Sequence, residues 1–214
     1  GMMRIVFFPN NNALNIASEN KNVDIVLGAL NGKNLGGVTF KDDVNKTLND
    51  AQLFLKKKES IYPALLQIKE YYKPNETFSV ALDKEIETLS TSSFDASKYP
   101  FLKYYLDTTK EYISGPDVKS KTTSDYITFF QKTGSMLETS SLLKPILVSY
   151  LNAANRDNLM GDVDNLLKQV NLETPRGQTI LSELIEIFET YNMVDMKNKY
   201  LSEAKGLKCE INER

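Results

Sequence analysis

The acidic residues that could carry catalysis lie on two predicted helices. Glu183, Glu186 and Glu189 recur at every third position of one helix, and Glu85 and Glu87 lie on the other. A pair of carboxylates is what a glycosidase uses, one as the acid and the other as the nucleophile or base. Acids opposite an apolar stripe are, however, typical of the solvated face of a helix. We therefore expect these side chains to face solvent, and a carboxylate-based enzyme remains a third hypothesis beside the two given below.

The chain contains no His and a single Cys, Cys209. The lack of His excludes most metal sites and every triad or acid–base pair that depends on imidazole. One thiol cannot form a disulfide within the chain, and a lone Cys acts as a nucleophile only beside a base and an orienting group. We therefore predict no catalytic, cofactor-binding or metal-binding residue in this chain, and no cofactor.

Two segments resemble ligand-binding loops only in part. Asp157, Asp162 and Asp164 lie close together, but the segment 156–165 lacks the alternating ligands and the bidentate Glu of an EF-hand. Residues 32–37 (GKNLGG) have the glycines of a phosphate-binding loop without the Gly-Lys-Ser/Thr that ends such a loop. We expect the acids to be helix N-caps or solvated side chains, and the glycines to form chain turns.

Basic and aromatic clusters are expected to have structural roles. Lys56–Lys58 is a basic run in a chain whose formal net charge is -2, which favours a solvated helix face over a nucleic-acid or lipid contact. Aromatic doublets carry the kind of side chain that stacks on sugars or bases. Adjacent helix residues point about 100° apart, so we expect one member of each doublet to face the core and the other to be partly exposed. The doublets are Tyr71-Tyr72, Tyr104-Tyr105 and Phe129-Phe130.

The composition is that of a globular protein with a substantial core. Of the 214 residues, 41% are hydrophobic and 25% are charged, which excludes wholesale disorder. The nearly balanced charge argues against a nucleic-acid partner, because phosphate binding needs a cationic surplus. No apolar run approaches the roughly 18 residues that span a bilayer, so we predict no transmembrane segment.

The first 40 residues predict a short β element of two to four strands. Runs of β-branched and aromatic residues are separated there by Asn, Gly and Pro, which favour turns. The runs are Arg4–Phe8, Ala13–Ala17, Val23–Leu27 and Val38–Phe40. So few strands are marginally stable on their own. They must therefore pack on another part of the protein, or form the end of a larger β domain.

After the β element the apolar spacing becomes helical. Val44, Leu48 and Leu55 share one face of the first predicted helix. Pro63 is placed to start a further helical stretch, and Pro74 is placed to stop it. The rest of the chain continues in the same way, and we predict a bundle of about seven to eight antiparallel helices in total.

Local signals divide and bound this helical region. Thr174-Pro175 is the combination expected at a helix N-terminus, and Gly206 is placed to end the last helix. The polar segment 114–124 is the clearest loop and a possible subdomain break. The predicted fold class is therefore mainly α, with residues 1–40 as the β element and residues 41–214 as the helical domain.

Two sets of short segments carry a family resemblance. The N-terminal set is Arg4-Ile5-Val6-Phe7, Leu14-Asn15-Ile16 and Asn22-Val23-Asp24-Ile25. The helical set is Phe129-Phe130, Met136 to Ser140, Lys144 to Leu151 and the tail Gly206 to Cys209. In this order they resemble the N-terminal accessory region of TlpA-like thioredoxin-family proteins of Bacteroidetes. In that family a β domain closes with a segment similar to the first set, and a long helical region follows.

The resemblance implies a function that the residues alone do not. The family's active dithiol, Cys-x-x-Cys, belongs to a downstream thioredoxin-like domain, and Cys209 does not match it. The chain would then be a non-catalytic module of an exported, periplasmic or lipoprotein thiol–disulfide oxidoreductase. Its partners would be the downstream domain of the same polypeptide, and a protein substrate or a second copy. The second hypothesis is a stand-alone helical scaffold that binds proteins through a groove between its helices.

Overall fold

The computed structural model describes residues 1–7, 12–29 and 36–212, without the side chains of Asn12, Pro116, Asp117 and 207–212. The protein is mainly helical, with 67% helix and 9% strand, which confirms the predicted fold class. Phe8, Gly32 and the side chain of Cys209, all considered above, lie outside the described parts. No helix within the described ranges is both long enough and apolar enough to cross a membrane.

Four short strands form two separate antiparallel hairpins. They are β1 (Met2–Phe7), β2 (Asn12–Ala17), β3 (Ile25–Leu27) and β4 (Val38–Phe40). In the first hairpin Met2 lies opposite Ala17, and in the second Ile25 lies opposite Phe40. All four strands fall within the predicted runs or extend them by up to two residues, and the hairpins pair strands that are neighbours in the sequence.

The helices alternate with π and 3₁₀ turns. The first half contains α1 (Asp43–Lys56), a π turn (Lys57–Ile61), α2 (Tyr62–Lys69), α3 (Thr77–Thr91) and α4 (Pro100–Thr109). A second π turn (Lys110–Ser114) and a 3₁₀ turn (Pro116–Ser120) follow. The second half contains α5 (Thr123–Lys132), α6 (Met136–Thr139), α7 (Leu143–Ala153), a 3₁₀ turn (Arg156–Asn158), α8 (Leu159–Val170), α9 (Pro175–Thr190) and α10 (Val194–Asn212).

Capping side chains set several helix starts. Thr174 accepts a hydrogen bond from the Gly177 N–H at 3.0 Å with Pro175 in the first turn, which confirms the predicted start of α9. The predicted end of α10 at Gly206 is wrong, because the helix continues to Asn212. Gly in a helix interior costs only about 1 kcal/mol relative to Ala, so a single Gly without a following Pro need not stop a helix.

The chain forms two compact units, Gly1–Leu106 and Asp107–Arg214. This division differs from the sequence-based ranges 1–40 and 41–214, and it precedes the segment 114–124. The β element belongs to the first unit because it shares a core with the helices that follow it. That core contains Ala17, Leu48, Ala96 and Leu102, all buried.

The second unit has a larger core. The helix α9 contacts α7, α8 and α10, while α5 contacts α7 and α8. Fully buried side chains from these helices include Phe130, Tyr150, Leu166, Phe188 and Tyr200. The rings of Phe188 and Tyr200 stack with their centroids 5.7 Å apart. This core holds α9 between its three neighbours.

Asn45 joins the β element to α1. Its carboxamide accepts from the Ala17 N–H and donates to the Ala17 carbonyl oxygen, both at 2.8 Å, and the residue is fully buried. In Asn45→Ala both groups of Ala17 lose their partner, so we expect a loss of about 2 kcal/mol in the free energy of unfolding. Urea titration measures this loss. The exposed neighbour Asn49→Ala is the matched control, and equal stability of the two variants would contradict the assignment.

Candidate interaction surface

The first unit contains one long helix with a π turn in its middle. Backbone dihedrals stay in the right-handed helical region through Lys56, Lys57, Ile61 and Tyr62, so α1, the π turn and α2 are continuous. Pro63 explains the π turn. Proline has no N–H to donate to the carbonyl of Glu59, one turn earlier, and its ring would clash with that carbonyl in a regular α-helix. The sequence predicted that a further helical stretch starts at Pro63, and α2 does begin with Pro63 in its first turn. The π turn joins this stretch to α1.

The inner side of this long helix packs within the first unit. On α1 the buried residues Leu48 and Ala51 face inward, and α1 contacts β2 and β4. On α2 the Lys69 ammonium forms an ion pair with Asp83 of α3. Beyond α2, the Tyr72 and Phe78 rings lie 4.8 Å apart. Neighbouring elements therefore hold one side of the helix along its whole length.

The outer side carries a row of exposed apolar residues. Leu53 is 56% exposed, Ile61 46%, Ile68 40% and Tyr71 86%, and Ala64 is exposed between them. We call these five residues the apolar stripe. Isolated exposed apolar residues are normal on a protein surface. A contiguous row of them is a feature of surfaces that contact proteins, membranes or ligands.

The π turn aligns the stripe. Successive residues of the stripe, from Leu53 to Tyr71, are 8, 3, 4 and 3 positions apart in the sequence. A π turn adds one residue to a helical turn, so the first spacing corresponds to seven residues of a regular helix. The tight final turn, in which the Tyr71 N–H donates to the Ile68 carbonyl oxygen at 3.1 Å, keeps Tyr71 above Ile68. The five residues thus form a continuous seam of the kind seen in coiled coils.

Lys57 lies in the seam between Leu53 and Ile61. It is exposed, and among the described residues no acidic side chain forms an ion pair with it. Its neighbour Lys58 instead lies over the Phe54 ring, 5.3 Å from the centroid. The basic run Lys56–Lys58 was predicted to form a solvated face. Lys56 and Lys57 are exposed, as predicted, and Lys58 is half-buried. The position of Lys57 between two residues of the apolar stripe was concealed by the broken spacing of the sequence.

The aromatic doublets take different positions. Phe130 is fully buried and Phe129 is half-buried, as expected for neighbours on a helix. The expectation is wrong for Tyr71-Tyr72, because both residues are exposed in the tight turn that ends the long helix. Tyr104 and Tyr105 are both half-buried, and Tyr105 packs against the core of the first unit.

The acids singled out in the sequence lie mainly in the second unit. Asp164 accepts hydrogen bonds from Lys199 and Tyr200. Asp162 accepts from the Asn155 N–H at 2.8 Å. Where residues are described, no group of three or more Cys, Asp or Glu side chains is placed to hold a metal ion. Asp162 and Asp164 therefore link structural elements of the second unit.

Glu183 and Glu186 line a shallow groove of about 400 Å³ between α6–α7 and α9. Glu183 was expected to be solvated, but the structure half-buries it. Burial raises the pKa of the Glu183 carboxyl, the neighbouring Glu186 charge raises it further, and Lys144 opposes the change. Lys144 forms its ion pair with Glu186 at 2.9 Å. The two carboxylates share one face of a single helix, whereas the acids of a glycosidase flank the bond that they cleave.

Because the pKa of Glu183 is raised, the second unit is more stable when this carboxyl is neutral than when it is ionised. The folded state binds the Glu183 proton more tightly than the unfolded chain does, so ionisation above the ordinary carboxyl range lowers stability. Glu183→Gln should therefore melt at a higher temperature than wild type at pH 7. The difference should vanish below about pH 4, where both side chains are neutral. Thermal melts across this range measure it, and the exposed Glu173→Gln is the control that should show neither effect.

Comparison with known proteins returns no match. The chain matches no protein-family model, no curated protein and no solved structure. The observations that bear on function are therefore the sequence, the apolar stripe and the groove.

Proposed function

We propose that this chain is a non-catalytic recognition module of an exported, thioredoxin-like thiol–disulfide oxidoreductase. In this proposal a downstream domain of the same polypeptide carries the dithiol. The chain binds a protein partner through the apolar stripe and brings it to that dithiol. The parent protein would be periplasmic or anchored as a lipoprotein.

The observation that carries the recognition role is the exposure of the apolar stripe. Four large apolar side chains of the stripe are each at least 40% exposed, three on the long helix and Tyr71 in the turn that ends it. A partner that covers these side chains would remove their apolar surface from water. This burial stabilises a complex by about 25 cal/mol for each Å² buried. Tyr71, the most exposed of them, belongs to a residue type enriched at the energetic centres of protein interfaces.

The sequence resemblance supports the link to thiol–disulfide chemistry. It covers the N-terminal strands and several helices of the second unit, and in that family the dithiol lies in another domain. A stand-alone scaffold is the alternative function, and the same apolar stripe favours it. The two functions differ in whether a catalytic domain belongs to the same polypeptide.

Disulfide reduction by the natural polypeptide, with and without residues 1–214, tests the proposal. We expect the deletion to leave the reduction of a small disulfide unchanged and to slow the reduction of a protein partner. Ile68→Glu should reproduce the effect of the deletion, because it places a charge in the stripe. Val80→Glu on α3, a position that is 60% exposed outside the stripe, is the control. Equal rates on the protein partner with and without residues 1–214 would contradict a recognition role.

A further inference from the structure

We infer that the apolar stripe binds one amphipathic helix of a separate protein, and that this helix carries an acidic residue opposite Lys57. The inference rests on the proposed function and specifies the chemistry of the partner. It follows from the spacing, the length and the charge of the stripe.

The spacing fits a helix better than it fits an extended strand. After the correction for the π turn, apolar residues recur at intervals of 7, 3, 4 and 3 residues, the pattern that packs side chains into the gaps of a facing helix. An extended peptide adds to the open edge of a sheet, and the stripe lies on a helix whose backbone groups bond within it. From Leu53 to Tyr71 the stripe runs roughly 27 Å at 1.5 Å per residue. A partner helix of about five turns would cover it.

Lys57 determines the charge of the partner. A bound helix would cover part of the Lys57 side chain and withdraw its ammonium group from water. Removing a charge from water is costly unless an opposite charge takes the place of the solvent. Among the described residues no acid pairs with Lys57, and a carboxylate of the partner is the group that would neutralise it in the complex. A basic residue at the same position of the partner helix would place two like charges in contact and weaken binding.

The charge of Lys57 also argues against a second copy of this chain as the protein that binds the apolar stripe. In a parallel two-fold pairing Lys57 would face its own counterpart. In an antiparallel pairing centred on the stripe it would face the apolar stretch around Ala64 and Ile68. The residue at the level of Lys57 is Lys57 itself in the first arrangement and Gln67 in the second, and neither is a carboxylate. A separate protein is therefore the better complement.

Two synthetic helices of about 18 residues, long enough to cover the stripe, test the inference. Both carry Leu at the a and d positions, and they differ only in the seam residues one turn from each end, Glu in one probe and Lys in the other. In either orientation one of these residues then lies opposite Lys57, which is one turn from the Leu53 end of the stripe. Fluorescence anisotropy measures their binding to the full chain, at concentrations where sedimentation shows both probes to be monomeric. We expect the Glu probe to bind at least about tenfold more tightly than the Lys probe, because the Lys probe places two like charges in contact.

Variants of the chain make the test specific. Lys57→Glu should reverse the preference so that the Lys probe binds more tightly, and Ile68→Glu should abolish binding of both probes. Val80→Glu, outside the stripe, should bind as the wild-type chain does. Equal binding of the two probes to the wild-type chain, or no reversal with Lys57→Glu, would overturn the inference. If the deletion of residues 1–214 slows reduction of a protein partner and the probes show no preference, the inference fails while the proposed function stands.

Discussion

Phe188→Ala should lower the free energy of unfolding of the second unit by about 3–5 kcal/mol, the range for a fully buried Phe. Phe188 has no exposed surface and stacks on the Tyr200 ring, with the ring planes 29° apart. Its removal leaves a cavity between α9 and α10. The surrounding helices cannot fill this cavity easily, because α9 is also held by α7 and α8. Urea unfolding followed by circular dichroism measures the loss.

Tyr191→Ala provides the control for this cavity. Tyr191 lies one turn after Phe188, at the end of the same helix, and is 62% exposed. Truncation of an exposed side chain away from the core usually changes stability by no more than about 0.5 kcal/mol. Similar losses for the two variants would show that Phe188 does not occupy the centre of this core.

Arg176→Met should lower the stability of the second unit by about 2–4 kcal/mol, because it removes several charge-assisted hydrogen bonds at once. The Arg176 guanidinium donates to the carbonyl oxygens of Phe130, Thr133 and Gly134 at 3.1, 2.5 and 2.9 Å. It also donates to both carboxylate oxygens of Glu138, at 2.6 and 3.0 Å. One side chain near the start of α9 therefore caps the C-terminus of α5 and holds α6.

The pKa of Glu138 reports the same contact. Burial alone would raise it, but the Arg176 hydrogen bonds and charge hold the pKa of Glu138 below its ordinary value. Wild-type stability from this pair is present above the ordinary carboxyl pKa and decreases as the pH falls through the lowered value. The difference in the free energy of unfolding between wild type and Arg176→Met should therefore become smaller at acidic pH.

Arg176→Lys keeps the charge and loses the planar guanidinium, so it should recover only part of the stability that Arg176→Met loses. Full recovery would contradict the role of the planar guanidinium.

Local signals in the sequence were sufficient for much of the fold. Strands β1 to β4 coincide with runs of β-branched and aromatic residues or extend them by up to two residues. Thr174-Pro175 starts a helix because the Thr174 side chain caps the helix N-terminus and the Pro175 ring fits the first turn, independently of the rest of the fold. Gly206 failed as a stop signal because a single Gly lowers helix stability only slightly. The short helix α6 was not predicted. Its four residues are too few for a periodic pattern, and contacts such as the Arg176–Glu138 pair hold it in place.

The candidate surface was harder to find in the sequence than the fold. The eight-residue step from Leu53 to Ile61 breaks the helical period, so the stripe emerges only once the π turn is known. Pro63 was the available signal, since a Pro within a helical pattern disturbs the turn before it. Glu183 was predicted to be solvated from its spacing. Its partial burial depends on α6 and α7, which are distant in the sequence.

The central claim, that residues 1–214 serve a redox-active domain without being catalytic themselves, is tested most directly by the natural gene. The measurement is its reading frame beyond the codon for Arg214, over roughly another domain's length of about 100–200 residues. We expect a Cys-x-x-Cys between a predicted strand and a predicted helix. A stop codon immediately after Arg214 would contradict the claim.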